Sequence, residues 1–189
     1  GYLLKMSDYV DVIIPRGGRS LIERVTDESK IHVIKHLDGI CHTYIHKSSN
    51  PELAENVSVN AKMRRPGICG ATETILFDLP ILNSHLPRII NSLKEYKCEI
   101  RGDKAVMKLD KYIKGASEKD WSTEYLDKIV SIKSIKDGVS EAVEHINKFG
   151  SGHTDAILSE DSDSVKYFLE NVDSGIVMHN TSTQFADGG

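Results

Sequence analysis

Short β-branched runs alternate with amphipathic stretches along almost the whole chain, and this alternation restricts it to folds in which crossover helices join strands of a largely parallel sheet. The strand-like runs cover residues 9–15, 31–34, 40–45, 73–77, 98–100, 129–135, 155–158 and 175–179. Between them lie helix signals. Ser20 can cap a helix running through Ile22 and Val25 to Asp27, and Asn50-Pro51-Glu52 supplies an N-cap, an N1 proline and an early acid for a helix reaching Met63. Leu86, Ile89, Ile90 and Leu93 recur at helical spacing within residues 82–96. Residues 140–148, with Gly150 just past their end, and residues 163–172 complete the set. The stretch 104–122 is charged, carries Gly115 and the single tryptophan, and reads as irregular with one helical turn.

A chain of 189 residues that is 39% hydrophobic and 28% charged can bury a sizeable core, which excludes a disordered or low-complexity segment. Its 24 basic and 28 acidic residues are interspersed and give a net charge of −4, so there is no electrostatic footprint for nucleic acid. No apolar run approaches the roughly 18 residues of a membrane span, and the start lacks the layout of a signal peptide. A soluble, cytoplasmic protein is the expectation. Cys41, Cys69 and Cys98 are odd in number and widely spaced, which offers neither a disulfide framework nor a metal knuckle. His42 and His46 sit four apart in a strand-like run, where they stand at separate levels and no third ligand joins them; no metal site is expected.

Two segments invite chemistry. Pro15-Arg16-Gly17-Gly18-Arg19-Ser20 lies between a strand and a helix, where free amides and the helix dipole can meet a phosphate; a plain glycine turn with solvated arginines is the alternative. Cys69 occupies the glycine-flanked turn Arg64-Arg65-Pro66-Gly67-Ile68-Cys69-Gly70, where arginines favour a thiolate and a turn gives access. A small buried core residue is the competing reading there, and it is the expected one for Cys41 and Cys98. Glu124, taken alone, is a cap or a solvated charge.

Taken together, the blocks YVDVIIPRGG, DGICHTYI, NAKMRRPGICGATETIL, TEYL, EAVEHINKFGSGHTDAI and NTSTQFADGG resemble the gamma-glutamyl phosphate reductases, the proline-biosynthesis branch of the aldehyde dehydrogenase superfamily. The resemblance covers essentially the whole chain. It implies an α/β fold: an aldehyde dehydrogenase-like catalytic domain with a mainly parallel sheet flanked by helices, preceded by the last strand and helix of the nucleotide-binding domain. Residues 1–35 would be the end of that dinucleotide-binding domain, residues 36–180 the catalytic thiol domain, and residues 181–189 the start of a return segment, in a chain truncated at both ends.

The resemblance places Cys69 at the nucleophile position. It implies NADPH-dependent reduction of L-glutamyl 5-phosphate to L-glutamate 5-semialdehyde through a cysteine thioacyl intermediate. Arg16, Gly17 and Gly18 match the turn that meets the dinucleotide phosphates, and Glu124 matches the acid that holds a ribose. His153 and Asn180 fall in blocks that border the substrate pocket. His36 stands near the place where oxidising relatives carry a glutamate base, and it is not assigned as a base. Gly70 replaces the Asn that usually follows the cysteine. Gln184 replaces an Arg, removing a charge of the kind that grips a carboxylate. The implied partners are a small-molecule substrate and either a second copy or a complementing N-terminal chain. A non-catalytic remnant or split subunit is the alternative function.

Overall fold

A computed structural model describes residues 1–35 and 38–187 and divides the chain into two compact units, Gly1–Asp38 and Gly39–Gly189. The first unit holds a 3₁₀ turn at Tyr2–Lys5, strand β1 (Val12–Ile13), helix α1 (Arg19–Glu28) and strand β2 (His32–Val33). The two strands pair in parallel, Val12 opposite His32 and Ile13 opposite Val33. Leu4, Ile22 and Ile31 are its buried apolar side chains. The predicted strand over 9–15 thus shrinks to the two residues that find a partner.

The second unit contains β3 (Cys41–Ile45), α2 (Pro51–Met63), β4 (Thr72–Asp78), α3 (Leu82–Glu95), β5 (Glu99–Gly102), β6 (Lys114–Gly115), β7 (Ile129–Ile135), α4 (Val139–Phe149), β8 (Thr154–Leu158), α5 (Ser162–Asn171) and β9 (Ile176–His179). The strands form one sheet in the order β6-β5-β7-β4-β3-β8-β9, every pair parallel. The sheet is therefore mostly what the alternation of strands and helices requires. β3, β4 and β8 are buried along their whole length, as central parallel strands covered on both faces must be.

Alternation along each strand sorts the core into two layers. Ile45, Ile75, Phe77, Ile100, Val130 and Ile132 pack with Ala54, Val57, Leu86, Ile89 and Leu93 of α2 and α3. Tyr44, Leu76 and Ile157 face the other way, against Ala142, Val143, Ile146 and Phe168 of α4 and α5. The start of α2 is built as its sequence dictates: the Asn50 side chain accepts from the Glu52 and Leu53 amides at 2.9 and 3.1 Å, and Pro51 fills the first helical position. The stretch 104–122 supplies β6 and two 3₁₀ turns, Val106–Lys108 and Glu118–Ser122. Among the described residues no helix is long and apolar enough to cross a membrane.

Several polar groups inside these layers are paired in place. Asp155 accepts from the His42 amide at 2.7 Å and stands 3.0 Å from His42 Nδ1, while the Ser174 hydroxyl donates to its other oxygen at 2.5 Å. The Tyr44 hydroxyl donates to Asp78 at 2.7 Å. His145 is different: its ring sits among His42, Trp121 and Phe149, and its Nε2 is buried with no hydrogen-bond partner. Burial, helped by His42 and the nearby Lys133 and Lys148, pushes His145 down to about 3 from an ordinary 6.5. The folded chain keeps this ring neutral where the unfolded chain protonates it, so its contribution to stability is present above pH 6.5 and is lost as pH falls toward 3, by up to about 1.4 kcal/mol per pH unit. Urea titrations of His145→Phe between pH 7 and 4 should show a flatter acid limb than the parent chain; an unchanged slope would remove His145 as its cause.

Candidate active site

Cys69 lies in the turn that carries the chain from α2 into β4, partly exposed, with Gly70 buried beside it. The turn closes on itself: Ile68 N–H donates to Arg65 C=O at 3.4 Å and Ala71 N–H to Ile68 C=O at 3.0 Å. Cys41 and Cys98 are both fully buried. Burial pushes the Cys41 thiol well above its ordinary value and the Cys98 thiol up to about 12, so both are inert thiols near neutrality. Cys69 is the one cysteine with access to a substrate.

What fixes this turn is a close backbone approach. A Cβ on Gly39 would lie 2.2 Å from the Cys69 carbonyl oxygen and 2.6 Å from its Cα, so no side chain fits at position 39. Gly39 N–H donates to Glu124 Oε1 at 2.8 Å, and Ile40 N–H donates to Ser151 Oγ at 2.9 Å. The Cys41 thiol then reaches the Cys69 carbonyl at 3.1 Å and lies 3.7 Å from His153 Nδ1, which is 2.8 Å from Thr154 Oγ1. Residues 39–41 thereby gather Cys69, Glu124 and His153 at the amino ends of β3, β4 and β8.

Glu124 is held by its neighbours in sequence. The Tyr125 hydroxyl donates to Asp120 at 2.7 Å and touches Ser131 Oγ at 2.7 Å, and Asp120 is gripped by Arg101 at 2.6 Å. Leu126 takes a left-handed backbone, φ 52°, and its N–H reaches Glu73 Oε1 at 3.3 Å. Glu73 forms a fully buried pair with Lys62 at 2.5 Å; burial pushes its carboxyl up to about 7 against the opposing pull of Lys62. Positive φ in a leucine is a strained arrangement, and here it aims the segment carrying Glu124.

The segment after β9 closes the far side of the turn. The Thr183 hydroxyl donates to Gly70 C=O at 2.7 Å, and a Cβ on Gly70 would stand 3.1 Å from the Thr183 carbonyl oxygen. Gln184 is buried, and its amide donates to Ala61 C=O at 2.8 Å and Arg65 C=O at 3.5 Å. Its side chain is committed to the end of α2. Asn180 is anchored at the other end of the sheet: its amide group pairs with the Ser159 backbone at 3.0 and 3.2 Å, and its own N–H donates to Ile157 C=O.

Arg16, Gly17 and Gly18 belong to the first unit, in the turn between β1 and α1. Gly17 has φ +146°, Gly18 caps the helix without a side-chain hydrogen bond, and the first turn of α1 carries no acid, which leaves amides and dipole open to an anion. His36 lies outside the described residues. Among the described residues no group of three or more His, Cys, Asp or Glu can hold a metal. Sequence reasoning missed Gly39 and Ser151, and it took Cys41 for packing alone.

No protein-family model matches the chain. The gamma-glutamyl phosphate reductase of Rhodospirillum rubrum is 53% identical over 189 residues, all of this chain and 44% of that protein. The crystal structure of gamma-glutamyl phosphate reductase from Thermotoga maritima superposes with a TM-score of 0.92 at 37% identity, covering 97% of this chain and 44% of that one. The chain is a homologue of the gamma-glutamyl phosphate reductases. It spans less than half the length of the reductases it matches. A glyceraldehyde-3-phosphate dehydrogenase from Methanocaldococcus jannaschii, solved in complex with NADP, shares the aldehyde dehydrogenase-like fold at a TM-score of 0.73 and 17% identity, over 93% of this chain and 47% of that one.

In this reductase homologue the Gly39 contact is the joint on which the cluster turns. Gly39→Ala should displace the Cys69 turn and cost about 2 kcal/mol or more of stability. Peptide mass spectrometry after iodoacetamide treatment should show a changed rate at Cys69; a wild-type rate and melting point would mean that the approach is not tight.

Proposed function

We propose that the chain carries the thiol half of an NADPH-dependent, cytoplasmic reductase that converts L-glutamyl 5-phosphate to L-glutamate 5-semialdehyde, with Cys69 as its nucleophile. One observation carries this: the single accessible cysteine sits on a backbone-held turn beside Glu124 and His153, in a chain aligned throughout with gamma-glutamyl phosphate reductases. Residues 1–35 are assigned to the end of the dinucleotide-binding domain, 36–180 to the catalytic domain and 181–189 to the start of a return segment.

Taken unit by unit, the residues suit parts of a dinucleotide. In the first unit, the start of α1 with Arg16, Gly17 and Gly18 suits phosphates. In the second, Glu124 spends one oxygen on Gly39 and offers the other to a ribose hydroxyl. When bound, the reduced nicotinamide supplies a hydride. The chain's own part begins with the Cys69 thiolate attacking the acyl carbon; the C–O bond to phosphate breaks, phosphate departs with the electron pair, and a thioester remains. The Cys69 amide is the nearest backbone donor for the oxyanion. After reduction, the C–S bond breaks, the sulfur takes the pair back, and the aldehyde leaves. His153 is assigned to the substrate pocket; Asn180, tied to Ser159 at the opposite end of the sheet, stands apart from it. No step needs a base to activate water, since hydrolysis of the thioester would waste the acyl phosphate.

A second reading, a split subunit that pairs with a separate N-terminal chain, is favoured by the first unit. A two-stranded parallel pair is too small to be stable alone, and Tyr9, Ile14 and Ile34 around it are 81%, 64% and 53% exposed.

The reaction is best followed in reverse, from the semialdehyde, phosphate and NADP to NADPH. The isolated chain should turn over slowly, and addition of an N-terminal fragment carrying the rest of the nucleotide domain should raise the rate. Cys69→Ser should lower the complemented rate by about a thousandfold or more. Complemented activity that survives this substitution would overturn the assignment of the nucleophile.

A further inference from the structure

Two consecutive carbonyls of the Cys69 turn are gripped from the buried side. The Cys41 thiol donates to Cys69 C=O at 3.1 Å, and the Thr183 hydroxyl donates to Gly70 C=O at 2.7 Å. Thr183 Oγ1 is also 3.0 Å from Thr72 Oγ1, which is 2.7 Å from Thr43 Oγ1. A hydroxyl has one proton to give, so the commitment of Thr183 to Gly70 sets the direction of the relay: Thr43 donates to Thr72, and Thr72 donates to Thr183. All three threonines are fully buried. Burial alone would favour valine at such positions, which matches threonine in shape and leaves no hydroxyl to satisfy.

Each peptide is planar and trans, so a carbonyl pinned to one side turns the next amide to the other. With Cys69 C=O drawn toward Cys41, Gly70 N–H faces away from it. With Ile68 C=O accepting from Ala71 N–H, the Cys69 amide is likewise turned from that bond.

We propose that Thr183, at the head of this relay, and Cys41 beside it are positioning residues for the nucleophile turn. They hold the negative ends of two carbonyl dipoles inward, which keeps them off the thiolate, and the hold of Cys41 on the Cys69 carbonyl also turns the Gly70 amide outward for the acyl oxygen. Neither side chain acts on the substrate; Thr183 works through the Gly70 carbonyl and Cys41 through the Cys69 carbonyl. The proposal rests on Cys69 being the nucleophile.

The test uses the 189-residue chain with two measurements at pH 7. One is the rate of iodoacetamide capture at Cys69, and the other is amide hydrogen exchange over residues 66–72. Thr183→Val removes the donor and keeps the shape; it should slow capture about tenfold and speed exchange, and Thr183→Ser should restore both to within about twofold. Where Thr183→Val fails to fold, Cys41→Ala against Cys41→Ser decides at the other carbonyl. Folded variants that match the parent in capture and exchange overturn the clamp alone. A parent Cys69 no more reactive than Cys41 and Cys98 overturns the nucleophile assignment and the proposal with it.

Discussion

The backbone of Gly39 runs so close to that of Cys69 that the two segments can be neighbours only because position 39 has no side chain. The rest of the second unit follows from that contact. β3 must start at once after Gly39, β4 must start just after Cys69, and the two strands must lie side by side in parallel, as they do with Cys41 opposite Thr72. Glu124 enters from a segment 85 residues away in sequence because the Gly39 amide has a free donor pointing at it. A parallel sheet brings the amino ends of distant strands to one edge, and here that edge gathers a thiol, a carboxylate and an imidazole.

The polar groups near this edge are supported by a second tier of buried ones. The Lys62–Glu73 pair reaches the Leu126 amide, and Arg101 and Asp120 hold Tyr125, so Glu124 is fixed from both sides along the chain. Ion pairs taken wholly out of water contribute little net stability, because desolvation offsets their attraction. Their worth here is geometric: they allow a leucine in a left-handed conformation to persist at the point where the chain must turn.

The fold was legible where local chemistry and tertiary context agree. The Asn50 cap, the apolar spacing of α3 and the β-branched runs of β3, β7 and β8 all mark elements that exist. β6 left no trace in the sequence, because Lys114–Gly115 becomes a strand only by pairing with Arg101–Gly102. The site was legible in part. Cys69 stands out as a residue able to do chemistry, Glu124 and His153 only through the family resemblance, and the structure brings all three to one edge of the sheet. The residues that gather them do not stand out: a glycine that excludes a side chain, a cysteine that donates to a carbonyl, and a threonine that ends a relay look like turn or packing residues in one dimension. Gln184 shows the converse. It occupies a position where a charge for gripping a carboxylate was expected, yet its amide is tied to the end of α2, which concerns the order of the helix end rather than recognition.

The burial of Cys41 and Cys98 bears on more than packing. Deep burial keeps both sulfurs protonated and out of reach, so the chain presents a single accessible thiol to a thiol-selective reagent. Covalent uptake by the folded protein is then a stoichiometric count of competent sites. Labelling by a thiol-selective alkylating agent counts folded chains, one equivalent to each.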